Sequence, residues 1–257
     1  MALPELYHWE PCANSGELLI ALGEKGVAFR SRYVDLLQFE QLSDSFLALN
    51  PRGQVPVLVH DGRVLTETTL ILEYLDAVFA SPPLAPAGAA DRYRMQVWTK
   101  WADEYVAPAV SLMGWHERMM PLMKGRDVGA IRARTRLLPP DRQAVLDAVL
   151  TDSYSDDQLD RARTCLRVVV RRIEDTLAES RWLAGETYSL ADIALFPMAM
   201  SLQGLVPDLV SDVSTPHLLA WLQEIRNRDA VRGALDRART PDPTCVFAPG
   251  PELARWG

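Results

Sequence analysis

One stretch narrows the folds open to this chain more than any other: NPRGQVPVLVHDGRVLTETTLILEYL, residues 50–75. Asp61-Gly62 lies between Val57-Leu58-Val59 and Val64-Leu65. A two-residue type I′ turn needs positive φ at both central positions, which Asp-Gly tolerates, so a β-hairpin is expected. Thr66-Glu67-Thr68-Thr69 then precedes Leu70, Ile71, Tyr74 and Leu75, an apolar face at helical spacing behind residues suited to a helix N-terminus. Val55-Pro56 heads the first strand, where proline is tolerated only if its missing N–H is not needed. A cis bond there would turn the N–H and C=O of Val55 outward, as a short edge for an extended, peptide-like ligand. Glu67 and Thr68 would offer a hydroxyl, backbone N–H groups and the positive end of a helix to a carboxylate. The same residues also suit a plain hairpin followed by a helix. Their order and tight spacing favour the binding reading.

Around this stretch the chain divides. Residues 5–9 read as a strand, and the turn Pro11-Cys12-Ala13-Asn14-Ser15 breaks into a helix that ends at Gly26. Residues 27–35 alternate as a second strand and residues 38–49 read as a short helix, giving βαβαββα. That order is compatible with a compact four-stranded domain of thioredoxin type over residues 1–80. Residues 81–90, SPPLAPAGAA, are uncharged and proline-rich, a linker. Residues 91–240 read as helices at 91–120, 140–150, 155–179, 190–205 and 215–239. Ser189 and Asp192 form a capping box at the head of one of them, with Tyr188 and Ile193 at the staple positions. The tail, residues 241–257, carries several prolines and is expected to lie along the surface or to be partly disordered.

Composition excludes several classes. Apolar residues make up 48% and charged residues 24% of the 257, the balance of an ordinary soluble protein with ample core. A net charge of −7 gives no general case for nucleic-acid or membrane affinity. The arginines between Arg126 and Arg142 are interspersed with Asp127 and Asp141 and read as solvated helix surface. The start, MALPELYHWE, has no basic region followed by an apolar run, so no signal peptide is expected, and no run reaches membrane-span length. Cys12, Cys165 and Cys245 are odd in number and far apart, and His8, His60, His116 and His217 have no ligand spacing. Neither a disulfide framework nor a metal is expected, and a reducing cytoplasm is the simple inference.

The thioredoxin-type half, the proline-rich linker, the helical half and the GETYSLADI capping box together resemble the glutathione transferase superfamily over nearly the whole chain. PCANS at the first turn, FEQLSD at residues 39–44, NPRGQVP, and VWTKWADEY at residues 97–105, followed by Val110-Ser111 and Gly114-Trp115, resemble the bacterial glutathione-dependent β-etherases, on their S-stereospecific branch. The resemblance implies an α/β thioredoxin-like N-terminal domain followed by an all-α C-terminal domain. It implies glutathione as co-substrate, a small aromatic ether as second substrate, and a homodimer. The implied reaction is attack by the glutathione thiolate on a carbon beside a ketone, expelling a phenolate such as guaiacol. The alternatives left open are a general transferase for other electrophiles, a thiol-type enzyme working through Cys12, and a non-catalytic binding module.

A free thiol titrates near pH ~8.5, so the enzyme must favour its thiolate. Hydrogen bonds at a helix N-terminus do this, and Asn14 and Ser15 are the candidate donors. Either also suits a simple cap. Cys12 stands where glycine looks usual in the β-etherases and slightly early in the turn for a catalytic sulfur. For glutathione, the resemblance implicates Gln41, Gln54, Val55, Pro56, Glu67 and Thr68, with Val55 acting through its backbone. For the second substrate it implicates Trp9, Trp101, Tyr105, Met113, Trp115 and His116, although aromatic stripes at helical spacing are commonly core.

Overall fold

The computed structural model describes residues 2–249. In chain order the first half contains β1 (Glu5–His8), α1 (Ala13–Glu24), β2 (Arg30–Tyr33), two 3-10 turns (Leu36–Gln38 and Glu40–Leu42), α2 (Asp44–Leu49), β3 (Val57–His60), β4 (Arg63–Leu65) and α3 (Thr68–Val78). β1 is central, parallel to β2 and antiparallel to β3, and β3 closes the expected hairpin with β4. The order β2-β1-β3-β4 is the thioredoxin-like sheet. Asp61 and Gly62 take φ of 47° and 75°, the paired positive angles of the type I′ turn. The Val55–Pro56 bond is cis. The expected helix at 38–49 is broken instead. Asp35 accepts from the N–H groups of Leu37 and Gln38, and Phe39 has a left-handed φ of 56°, so regular helix begins only at α2.

α1 is apolar all round from Leu18 to Leu22 because it is covered on every side. The second half supplies much of that cover. It contains α4 (Ala89–Trp101), α5 (Ala107–Gly114), α6 (Met120–Met123), α7 (Val128–Thr135), α8 (Pro140–Thr151), α9 (Asp156–Glu179), α10 (Leu190–Ala199), α11 (Leu202–Leu205), α12 (Pro216–Arg226), α13 (Asp229–Leu235) and a last 3-10 turn (Pro243–Cys245). α10 and α13 both pack on α1. Arg228, at the head of α13, holds Glu24 of α1 with two hydrogen bonds of 2.5 and 2.8 Å. The proline-rich linker is pinned by Lys25, which pairs with Asp76 and donates to the Pro82 carbonyl at 2.6 Å.

The expected helix at 91–120 is longer and wound differently. α4, α5 and α6 form one rod, joined by π turns at Ala102–Val106 and Trp115–Met119. Each π turn is followed two residues on by a proline, Pro108 and Pro121. Proline lacks the N–H that the carbonyl four residues earlier would accept from, and its ring crowds that carbonyl; a wider turn relieves both faults. The Ser189–Asp192 capping box forms as expected. Asp192 accepts from Leu183 N–H, Ser189 N–H and the Trp221 indole, each at 3.0 Å, and burial raises its pKa to about 6 against the pull of those donors.

The tail departs from expectation. Val246 and Phe247 are buried, and the chain as far as Pro249 runs inward rather than over the surface. The remaining tail, residues 250–257, lies outside the described residues.

Candidate active site

The starts of α1 and α3 meet at a cleft, open to solvent, between the sheet domain and the rod. Cys12, the cap of α1, makes no side-chain cap, so no capping oxygen screens the first-turn N–H groups. Asn14 in that turn lines the cleft, and its amide donates to the Thr68 hydroxyl at 3.2 Å, coupling the two helix starts. Glu67, just before α3, has φ of 68°, a left-handed conformation unusual for a residue with a side chain. Such outliers persist where the surroundings hold them and are concentrated at functional sites.

The loop before β3 builds the adjoining wall. Asn50 donates to the Gln54 carbonyl at 2.8 Å, and Arg52 donates to the Gln54 side-chain oxygen at 3.2 Å. Arg52 also reaches Asp141 on α8 at 3.0 Å, tying the loop to the helical domain. Val55 and Pro56 line the cleft beside them. Gln41 completes this side. It is 2% exposed, and neither its amide nitrogen nor its oxygen has a partner among the described residues. A buried amide with its hydrogen bonds unspent at a cleft wall marks a place for a ligand.

Of the residues implicated by sequence, Asn14, Gln41, Gln54, Val55, Pro56, Glu67 and Thr68 thus converge on one cleft. Ser15 does not join them. It is buried, and its hydroxyl accepts from Trp9 N–H at 3.1 Å, fastening the end of β1 to α1. Cys12 is buried too, and desolvation, followed by the Glu10 carboxylate, pushes its thiol far above the ordinary range. Its burial and its place outside the cleft lining do not suit a thiolate nucleophile. Glu17, one turn further on, is wholly buried, and desolvation together with Asp103 pushes its carboxyl well up.

The aromatic set expected around the second substrate lies elsewhere. Trp9 is 2% exposed, in the core behind α1. Trp115 is 1% exposed, and its indole donates to the Val149 carbonyl of α8 at 2.8 Å. Met113 is buried, and His116 pairs with Asp152 at 2.8 Å. Trp101 stacks under the Arg172 guanidinium at 4.0 Å and against Tyr105 at 5.5 Å, on the side facing α9. None of these six lines the cleft. The stripes pack the rod against α8 and α9, as apolar helix faces ordinarily do.

The residues that do form the far wall were not singled out: Asp103, Ala107 and Ser111 on the rod, Arg142 on α8, and Ala248-Pro249 of the tail. Asp103 accepts from the Thr69 hydroxyl across the domain boundary. Arg142 reverses the solvated reading of the arginine cluster, for it is 2% exposed and donates to the Pro249 carbonyl at 3.0 Å. The spacing of Asp103, Ala107 and Ser111 by four was the one available signal for this wall.

Residues 6–83 match the family model of the glutathione S-transferase N-terminal domain, and residues 135–229 that of the C-terminal domain. The protein LigF of Sphingobium sp. SYK-6 is 38% identical over 93% of this chain and 95% of its own. The chain belongs to the glutathione transferase family. The crystal structure of that relative, described as β-etherase LigF, superposes on this transferase with a TM-score of 0.87 at 37% identity, covering 92% of this chain and all of the other. Maize glutathione S-transferase 3 is 28% identical over 95% of this transferase and 98% of its own length. Glutathione transferase F7 of Populus trichocarpa superposes with a TM-score of 0.70 at 25% identity, covering 91% and 98%. No helix among the described residues of the transferase is long and apolar enough to cross a membrane.

Proposed function

We propose that this transferase is a glutathione-dependent β-etherase acting on lignin-derived β-aryl ether ketones. The reading is carried by the whole-chain likeness to a β-etherase together with a cleft that joins the starts of α1 and α3. The α1 start favours a thiolate through its dipole, and Asn14 adds a side-chain donor. An amide nitrogen carries two protons and the Thr68 bond uses one, which leaves the other for sulfur. Ser15 then has a structural part. The γ-glutamyl end of glutathione suits Glu67-Thr68, its ammonium facing the Glu67 carboxylate and its carboxylate the Thr68 hydroxyl and the N–H groups opening α3, and its peptide backbone suits the edge at Val55. Gln41 and Gln54 supply further amides to the same molecule.

In the reaction the thiol gives its proton to solvent and the thiolate attacks the carbon that bears the aryl ether, beside the ketone. A carbon–sulfur bond forms, the carbon–oxygen bond breaks, and the phenolate leaves with the electron pair and takes a proton from water. No oxidant or reductant is needed. Binding holds sulfur, carbon and leaving oxygen in line, the condition under which such displacements gain most from being bound. The second substrate lies between the glutathione loop and the wall of Asp103, Ala107 and Ser111. We further propose a two-fold homodimer. Val64 on β4, Leu70 on α3 and Tyr93 on α4 are exposed apolar side chains that such a pairing would cover.

The test is incubation with glutathione and a racemic β-aryl ether ketone, reading phenol release and the enantiomer left behind by chiral chromatography. Phenol from one enantiomer alone is the expected result. Turnover of simple aryl halides without phenol release would replace the etherase with a general transferase.

A further inference from the structure

Beyond α13 the chain is fastened at successive points on its way into the cleft. Arg239 donates its N–H to Glu10 at 3.0 Å and lays its guanidinium 3.8 Å from the Tyr33 ring. Asp242 accepts from Thr244 N–H at 2.9 Å and closes the last 3-10 turn. Phe247 is 5% exposed and donates its N–H to the Met119 sulfur at 3.3 Å. Pro249 is held by the buried Arg142, and Ala248 and Pro249 face the same cleft as Asn14 and Thr68.

The seat of the Phe247 ring is Gly114. A Cβ built on Gly114 would lie 2.2 Å from Cγ and Cδ1 of Phe247, so no other residue fits there while the ring stays. Nothing in the backbone calls for glycine. Its φ of −66° and ψ of −38° are ordinary helix. Inside a helix glycine is less favourable than alanine, because it loses more backbone freedom on folding. The position therefore trades helix stability for a socket, and the socket holds the Phe247 ring of the tail.

We infer that residues 246–249 are a specificity-determining wall of the cleft, with Gly114 and Phe247 as the positioning pair and Ala248-Pro249 as the surface that limits the size of the second substrate. This rests on the use of the cleft for glutathione transfer, and not on the aryl ether reading. The wall occupies space beside the reacting sulfur. Releasing it widens the cleft for a longer acceptor while leaving the glutathione contacts on residues 50–68 in place.

The experiment is isothermal titration of the full chain with glutathione, S-benzylglutathione and S-(4-phenylbenzyl)glutathione, which share one thioether and differ by one ring. The proteins are wild type, Gly114→Ala, Phe247→Ala and the double variant. Each single variant is expected to shift the affinity ratio toward the two-ring conjugate by about tenfold, within the range that pocket size commands. The affinity for glutathione itself is expected to stay unchanged. Because both substitutions undo one contact, the double variant should match Phe247→Ala alone. An unchanged ratio in the single variants, or effects that multiply in the double, would overturn the wall and leave the transfer function standing. Binding of neither conjugate to wild type would overturn both. Gly114→Ala favours the helix intrinsically, so its effect cannot be laid to loss of the rod.

Discussion

The two walls of the cleft are built on opposite plans. The glutathione side is nearly one piece of chain. Residues 50–68 turn back on themselves through Asn50, Gly53 and the Asp61-Gly62 hairpin, and Asn14, Leu36 and Gln41 are added from outside. The other side is assembled from the rod, from α8 and from the tail, with Asp103 and Pro249 at its extremes. A contiguous wall fixed by local turns presents one unvarying set of hydrogen-bonding groups, which suits a co-substrate that never changes. A wall gathered from three elements changes one element at a time, which suits a partner that does. On the proposed reading, affinity for glutathione is chiefly a property of one loop, and selectivity is a property of the packing that brings distant segments together.

The comparison can be broken most forcefully at Asn14, where the co-substrate wall meets the chemistry. Asn14→Ala is expected to lower kcat/KM by about a hundredfold, the usual loss for one preorganised donor to a developing anion. It should also move the pH profile upward, because a thiolate that loses a donor is formed only at higher pH. Steady-state rates across pH read both, and an unchanged profile would detach Asn14 from the sulfur. Glu67→Gln should raise KM for glutathione by about tenfold and leave the second substrate's KM alone, as loss of one charge-assisted contact would. A shift in both constants would mean that the walls are not independent. Trp115→Phe tests the other plan. The lost indole hydrogen bond to Val149 should cost about 1 kcal/mol in urea unfolding, with KM for the aromatic substrate unmoved. A raised KM would return Trp115 to the substrate. Smallest of all, Cys12→Ala should alter turnover less than about twofold, since a buried neutral thiol lends the reaction no charge. A large loss would reopen the thiol-type mechanism.

The same contrast governs what could be read before the structure. The hairpin and the helix starts at Thr68 and Leu190 rest on local chemistry, and that chemistry is written in neighbouring residues. Gln54, a glutamine of a kind often merely solvated in loops, stands at the cleft because its loop is folded by its own hydrogen bonds, and Gln41 reaches the same cleft from the second 3-10 turn. The aromatic rows of the rod were legible as helix faces but not as to which neighbour they meet. Trp101, Tyr105 and Trp115 turn to α9 and α8, and no spacing within the rod reveals that. Arg142 was lost among exposed arginines such as Arg132, which pairs with Asp147 on the surface; only a carbonyl more than a hundred residues away distinguishes the two. The tail was misjudged for the same reason, since prolines describe its stiffness and say nothing of the glycine it rests on.

The π turn at Ala102–Val106 has a consequence for how such a cleft diversifies. In an α-helix of 3.6 residues per turn, each fourth residue sits about 40° further round, so three residues spaced by four would swing away from any straight edge. Asp103, Ala107 and Ser111 nonetheless all border the cleft, because the wider winding at the start of the run offsets the drift that follows. The rod therefore acts as a gauge whose zero is set by a single extra residue. One codon gained or lost there would rotate everything downstream by about a quarter of a turn, exchanging the side chains offered at the far wall in one step while the loop of residues 50–68 stayed as it was.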